Sequence, residues 1–132
     1  MRRVLVDTNV ILSAILFPES IPAHVFAHVL THESLILTQW IITELGEVTA
    51  RKRPDLVPAL ETLLSSIDYE IAEPRGSGAL ITDLDDQPIL DAAIAADVDI
   101  LISGDKHFLT LTLDRPAIMN ARTYLTTYIE AT

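Results

Sequence analysis

The chain contains no cysteine in its 132 residues, and aromatic residues make up only 5% of it. The lack of cysteine excludes disulfide bonds, thiolate zinc sites and cysteine nucleophiles. Because aromatic residues are so few, the core must be built from Leu, Ile, Val and Ala. The hydrophobic content of 49% supplies enough of these residues. No apolar run approaches the length of about 18 residues that predicts a membrane span, and a strand predicted by residue 3 leaves no room for a signal peptide. We expect one soluble, cytoplasmic domain over residues 1–132.

Basic residues are also scarce. Nine Lys and Arg face 19 Asp and Glu, which gives a net charge of −10. A protein that binds nucleic acid by phosphate neutralisation alone is expected to be basic, so this composition predicts weak binding to arbitrary nucleic acid. The acids are unevenly spread, because seven acids and no base lie between Asp83 and Asp105. Such concentration fits a cation site better than a generally anionic surface.

Short apolar runs alternate with helical patterns along the chain. This alternation is typical of βαβ units and predicts a three-layer α/β/α sandwich around a central parallel sheet. Residues 73–84 contain a proline and two glycines without a clear period, which predicts a loop. The predicted strands are Val4–Val6, Ser34–Leu37, Tyr69–Ile71, Ile100–Ile102 and Ala117–Met119.

Four carboxylates occupy positions from which a parallel sheet would bring them to one edge: Asp7, Glu44, Asp86 and Asp105. Asp7 and Asp105 follow predicted strands directly. Ligands of open parallel sheets bind outside the carboxyl ends of the strands, where the strand order reverses. These two acids are therefore expected to meet there. The alternative for each is a simple cap on the helix that follows.

Glu44 lies on a helical face that should point at the core. It shares this face with three apolar residues, Ile41, Leu45 and Val48. An ionised glutamate is rarely buried without a partner, so its position indicates a specific role. Glu47 faces elsewhere and can pair with Arg51 on the surface.

The third acid is the least well defined. Asp86 begins a helix on the side of Leu90 and Ala93, so it is aimed inward, although an N-terminal cap would explain it equally simply. We rank it first. Three neighbouring acids are the alternatives: Asp83, Asp85 and Asp91.

Three segments, in this order, resemble the PIN domain family: VLVDTNVILSAIL, LTQWIITELGEVTARKRP and DLDDQPILDAAIAADVDILISGD. This family comprises small metal-dependent ribonucleases and includes many toxins of toxin–antitoxin pairs. The resemblance covers nearly the whole chain. By this resemblance, the four acids of the family correspond, in order, to Asp7, Glu44, Asp86 and Asp105. The family's small polar positions fall on Thr8 and Asn9, and Ser103 lies near the last acid.

The resemblance implies Mg²⁺ or Mn²⁺ as cofactor, RNA as substrate, a homodimer and a small antitoxin as partner. Asp7 would be the central metal ligand, and the other three acids would bind or orient the metal. Three polar residues would hold water or a phosphate oxygen: Thr8, Asn9 and Ser103. Arg75 is a candidate phosphate contact, and His107 faces either substrate or solvent. The alternatives are a catalytically silent binding or dimerisation module and an RNA processing or decay nuclease that is not a toxin.

Overall fold

A computed structural model describes residues 1–75 and 86–130. Five parallel strands form one sheet in the order β3-β2-β1-β4-β5. Starting from β1, the chain builds the sheet outward to β3 and then returns to add β4 on the other side of β1. The strand order therefore reverses between β1 and β4. The strands are β1 (Arg3–Val6), β2 (Ser34–Leu37), β3 (Glu70–Ile71), β4 (Ile100–Ile102) and β5 (Ala117–Met119).

Helices flank the sheet and connect its strands, so the predicted α/β/α architecture is confirmed. Thr38 is the N-cap of α3, and its hydroxyl accepts a hydrogen bond from the backbone N–H of Ile41. The helices are α1 (Thr8–Leu16), α2 (Ile21–His32), α3 (Gln39–Lys52), α4 (Val57–Ser66), α5 (Gln87–Ala95), α6 (Lys106–Leu109) and α7 (Ala121–Tyr124). A 3-10 turn (Pro54–Leu56) precedes α4, and a π-helical turn (Leu125–Ile129) follows α7.

The central strands are covered on both faces, which explains their composition. Val4, Leu5 and Val6 of β1 are fully buried, as are Leu101 and Ile102 of β4. A parallel strand that is buried on both faces has a continuous run of apolar residues rather than alternating apolar and polar residues. β1 and β4 are short, but pairing with each other stabilises them, since Val4–Val6 of β1 pair with Ile100–Ile102 of β4.

Several element boundaries differ from those predicted. The sequence predicts a helix roughly from Asp55 to Ser66, but this helix begins at Val57, because Pro54–Leu56 form a separate 3-10 turn. The helix expected from Asp86 begins one residue later, at Gln87. The predicted loop over residues 73–84 lies, beyond residue 75, outside the described residues.

Within the described ranges, no single helix is long and apolar enough to cross a membrane. Only α1 and α2 taken together, at an angle of 108° to each other, meet that test by length and composition.

Candidate active site

Asp7 lies at the carboxyl end of β1, at the point where the strand order reverses. Its side chain is only 5% exposed. One oxygen, Oδ1, accepts a hydrogen bond of 2.8 Å from the backbone N–H of Thr8, and Oδ2 accepts one of 2.9 Å from the Ser103 hydroxyl. Asp7 therefore does cap α1, but only one of its oxygens is used for this. The other is held by a residue that follows β4.

Ser103 connects two of the predicted acids. It is fully buried, and its Oγ donates to Asp7 Oδ2 while accepting a 3.0 Å hydrogen bond from the backbone N–H of Asp105. Its own backbone N–H donates to the carbonyl of Met119, which fixes the residue against β5. One hydroxyl thus sets the relative position of Asp7 and Asp105 across the switch point.

Asp105 begins the short helix α6. Its Oδ1 accepts a 2.8 Å hydrogen bond from the backbone N–H of His107, so the capping role also holds here. The same oxygen lies 3.2 Å from Nδ1 of the His107 ring. Both side chains are about one third exposed, at 27% for Asp105 and 32% for His107. They face a partly open edge of the sheet.

The electrostatics of Asp7 show which other acids lie near it. Burial raises the pKa of Asp7, and the hydrogen bonds from Ser103 and Thr8 partly offset this rise. The negative charges of Glu44 and Asp105 raise that pKa further. The charges of Glu44 on α3 and of Asp105 after β4 therefore both act on Asp7. Glu44 is half-buried, as its helical face predicted.

Asp86 belongs to a second group of side chains at the same edge. One carboxylate oxygen each from Asp86 and Asp105 and one ring nitrogen of His107 lie within 4.8 Å of one another. Although Asp86 occupies the N-cap position of α5, its side chain makes no capping hydrogen bond to the described backbone. A capping hydrogen bond therefore does not explain the position of Asp86.

The structure describes two of the four candidates for the third acid, Asp86 and Asp91. Asp91 accepts a 2.9 Å hydrogen bond from Nε2 of Gln87, one turn earlier in α5. Asp83 and Asp85 lie outside the described residues. Of the two described candidates, Asp86 is the one whose carboxylate lies beside Asp105.

The remaining predicted residues are distributed unevenly. Thr8 is 1% exposed, and its hydroxyl has no hydrogen-bond partner among the described residues. Asn9 is exposed and lines a cleft with Gly104, and none of the four candidate acids lines that cleft. Arg75 instead lines a depression with Ala95 and Ala96 at the far end of α5. That end is about 13 Å along the helix from Asp86, so the structure does not bring Arg75 to the acids.

A divalent cation fits this group of donors. Carboxylate oxygens are the ligands that Mg²⁺ and Mn²⁺ prefer, and several buried or half-buried carboxylates at short range need a cation to offset their repulsion. The buried Thr8 hydroxyl, without a partner among the described residues, is a further oxygen donor beside Asp7. The residues that would hold the cation come from four different elements, which only the tertiary fold brings together.

The family assignment follows from a match to a PIN domain model over residues 3–107. The chain belongs to the PIN domain family. Members of this family are generally nucleases, and they typically use divalent metals. No curated protein sequence matches the chain significantly.

The solved structures agree with this assignment. One similar chain comes from the crystal structure of VapBC2 from Rickettsia felis bound to a DNA fragment from its promoter, with a TM-score of 0.65. The match covers 89% of this PIN domain chain and 97% of that chain, at 15% sequence identity. At this identity the likeness shows the fold alone. It confirms the PIN-like α/β/α fold that the sequence predicts.

Ser103→Ala tests how far the PIN domain site depends on its positioning hydroxyl. The substitution removes the donor to Asp7 and the acceptor for the Asp105 backbone. Loss of such an orienting group typically lowers metal affinity or activity about 10- to 100-fold, and we expect that range here. Mn²⁺ titration of the variant measures the affinity. Ser65→Ala is the matched control, because that exposed hydroxyl only donates to a carbonyl within α4. Equal affinity in both variants would contradict the bridging role.

Proposed function

We propose that the chain is a metal-dependent endoribonuclease that hydrolyses RNA phosphodiester bonds. The observation that carries this proposal is the convergence of Asp7, Glu44 and Asp105 at the switch point of the sheet, with Asp86 beside them. Membership of a family that is generally nucleolytic supports the same chemistry. The further assignment to RNA rests on the resemblance given by the sequence motifs.

The four acids would hold Mg²⁺ or Mn²⁺, one ion or two. A bound divalent ion would acidify a water molecule and stabilise charge on the phosphate. Asp105 is shared by the two groups of side chains, which supports a shared ligand role for it beside the central role predicted for Asp7. Ser103 holds these two carboxylates in place, and the Thr8 hydroxyl and the Asn9 amide N–H would donate hydrogen bonds to water or to a phosphate oxygen.

The acidic surface limits how substrate can bind. With a net charge of −10, the chain gains little from general attraction to phosphates. Trp40, the only tryptophan, lies one helical turn before Glu44 on α3 and is 46% exposed. Exposed aromatic rings bind single strands by stacking on their bases, and this interaction needs no net positive charge. Trp40 therefore supports a single-stranded substrate.

Cleavage of end-labelled RNA by the purified protein tests the proposal. We expect cleavage with Mn²⁺ or Mg²⁺, none with EDTA, and products that carry a 5′-phosphate. Glu44→Gln should lose activity, whereas Glu47→Gln should keep it, because Glu47 is exposed one turn along the same helix. Products with a 2′,3′-cyclic phosphate, or cleavage in EDTA, would contradict the mechanism. Metal binding without cleavage would indicate a narrow choice of substrate, and the absence of metal binding would favour the silent binding module.

We also propose that the protein is the toxin of a toxin–antitoxin pair and acts in the cytoplasm with a small antitoxin as partner. The sequence resemblance supports this role, and so does a fold shared with a chain of VapBC2. Induced expression of the wild-type chain should arrest growth, whereas Glu44→Gln should not. A nuclease that is active in vitro but harmless when expressed would indicate RNA processing or decay.

The assembly is part of the same proposal. We expect residues 1–132 to form one domain, because every described strand belongs to a single sheet, and we expect this domain to form a homodimer. Light scattering on the purified protein gives the mass in solution. A mass close to the 14.5 kDa of one chain would contradict the dimer.

A further inference from the structure

The metal-binding side chains fall into two groups with one member in common. Asp7 is influenced by the charges of Glu44 and Asp105, which defines an all-carboxylate group. Asp86, Asp105 and His107 form the second group, with donor atoms within 4.8 Å of one another. The second group therefore differs in chemistry, because it contains an imidazole nitrogen.

The position of the His107 ring matches that of a ligand beside Asp105. Its Nδ1 lies 3.2 Å from Asp105 Oδ1. Two adjacent ligands of an octahedral ion, each about 2.1 Å from it, are about 3 Å apart. The backbone of His107 is also anchored, since its N–H donates to the same carboxylate. Residues from α5, the end of β4 and α6 thus converge as cation ligands do.

We propose that His107 is a nitrogen ligand of a divalent ion that Asp86 and Asp105 also bind. The proposal rests on the proposed function and specifies the metal for it. Imidazole binds Mn²⁺ and the later transition metals in preference to Mg²⁺, which selects oxygen donors. His107 accordingly shifts the preference of this site away from Mg²⁺ and towards Mn²⁺.

The competing role for His107 is an ion pair. In that case a protonated ring donates from Nδ1 to Asp105, and no metal contacts the nitrogen. The two roles differ in a property that does not depend on catalysis. A metal ligand places nitrogen in direct contact with the ion, whereas a protonated ring is excluded from it.

Pulsed electron paramagnetic resonance of the Mn²⁺-loaded full chain distinguishes these roles, because it detects ¹⁴N coupled to the ion. We expect a nitrogen coupling in the wild type that His107→Gln abolishes. His24→Gln, an exposed histidine of α2, should retain it. Titrations with Mn²⁺ and Mg²⁺ should show that the ratio of their affinities falls about tenfold in His107→Gln.

His107→Asp guards against a variant that simply fails to fold. It supplies an oxygen in place of the nitrogen, so it should keep Mg²⁺ binding while the nitrogen coupling disappears. Mn²⁺ binding by the wild type without nitrogen coupling would overturn the proposal and leave the metal-dependent nuclease intact. No Mn²⁺ binding at all would overturn the metal site itself.

Discussion

Asp7→Asn is expected to abolish cleavage and, at the same time, to stabilise the metal-free protein. The loss of activity follows because the amide cannot offer a charged oxygen to the cation at the centre of the site. A metal ion contributes several kcal/mol to stabilising a phosphoryl transition state, so we expect activity to fall about a thousandfold or more. Gel assays with Mn²⁺ measure this fall.

The gain in stability follows from the raised pKa of Asp7. Burial is the main cause of that rise, and the charges of Glu44 and Asp105 add to it. At pH values between the ordinary pKa of 3.8 and the raised pKa of the folded state, the Asp7 carboxyl is protonated in the folded protein and ionised in the unfolded chain. The free energy of unfolding therefore falls as the pH rises through this window, and it stays lower above it. The amide of the Asp7→Asn variant does not ionise, so this fall is absent from it.

Urea unfolding in EDTA, at several pH values between about 4 and 8, tests whether the free energy of unfolding of the wild type falls as the pH rises. The difference in stability between Asp7→Asn and wild type should grow in favour of the variant as the pH rises. Asp114→Asn is the control, because Asp114 is exposed and outside the site. A variant that is less stable than wild type at every pH would show that the carboxylate is held mainly by its hydrogen bonds.

Much of the fold was predictable because the strands, apart from β3 with its exposed Glu70, consist largely of apolar residues. Ser34–Leu37, Ile100–Ile102 and Ala117–Met119 have the bounds that were predicted. A short continuous run of apolar residues that is bounded by polar residues is typical of a buried strand. The helix starts were harder to predict, as the 3-10 turn of Pro54–Leu56 shows.

The candidate site was most directly predictable in its strand-end members. A residue that directly follows a parallel strand has its position fixed by the strand, which is why Asp7 and Asp105 meet as expected. Ser103 is near Asp105 in the sequence, but its hydrogen bond to Asp7 spans 96 positions and depends on the tertiary fold. The composition and charge of a loop suggest Arg75 as a phosphate contact, but they do not predict where its side chain lies. The sequence does not orient His107, because a four-residue helix has no periodicity.

Mn²⁺ is expected to raise the melting temperature of the wild-type protein strongly. An ion that binds only the folded state at a hundred times its Kd stabilises that state by about 2.7 kcal/mol. For a chain of this size, that corresponds to roughly 10 °C. The effect should be large because the cation neutralises carboxylates that otherwise repel one another around Asp7. Calorimetry with and without Mn²⁺ measures the shift.

The same experiment on Asp7→Asn and Asp105→Asn separates the two groups of side chains. Asp105 is common to both, so its loss should remove nearly all of the Mn²⁺-dependent shift. Asp7 belongs only to the all-carboxylate group, so Asp7→Asn should keep part of the shift if Asp86 and His107 hold an ion of their own. Equal losses in the two variants would instead mean that a single ion depends on all of these ligands together.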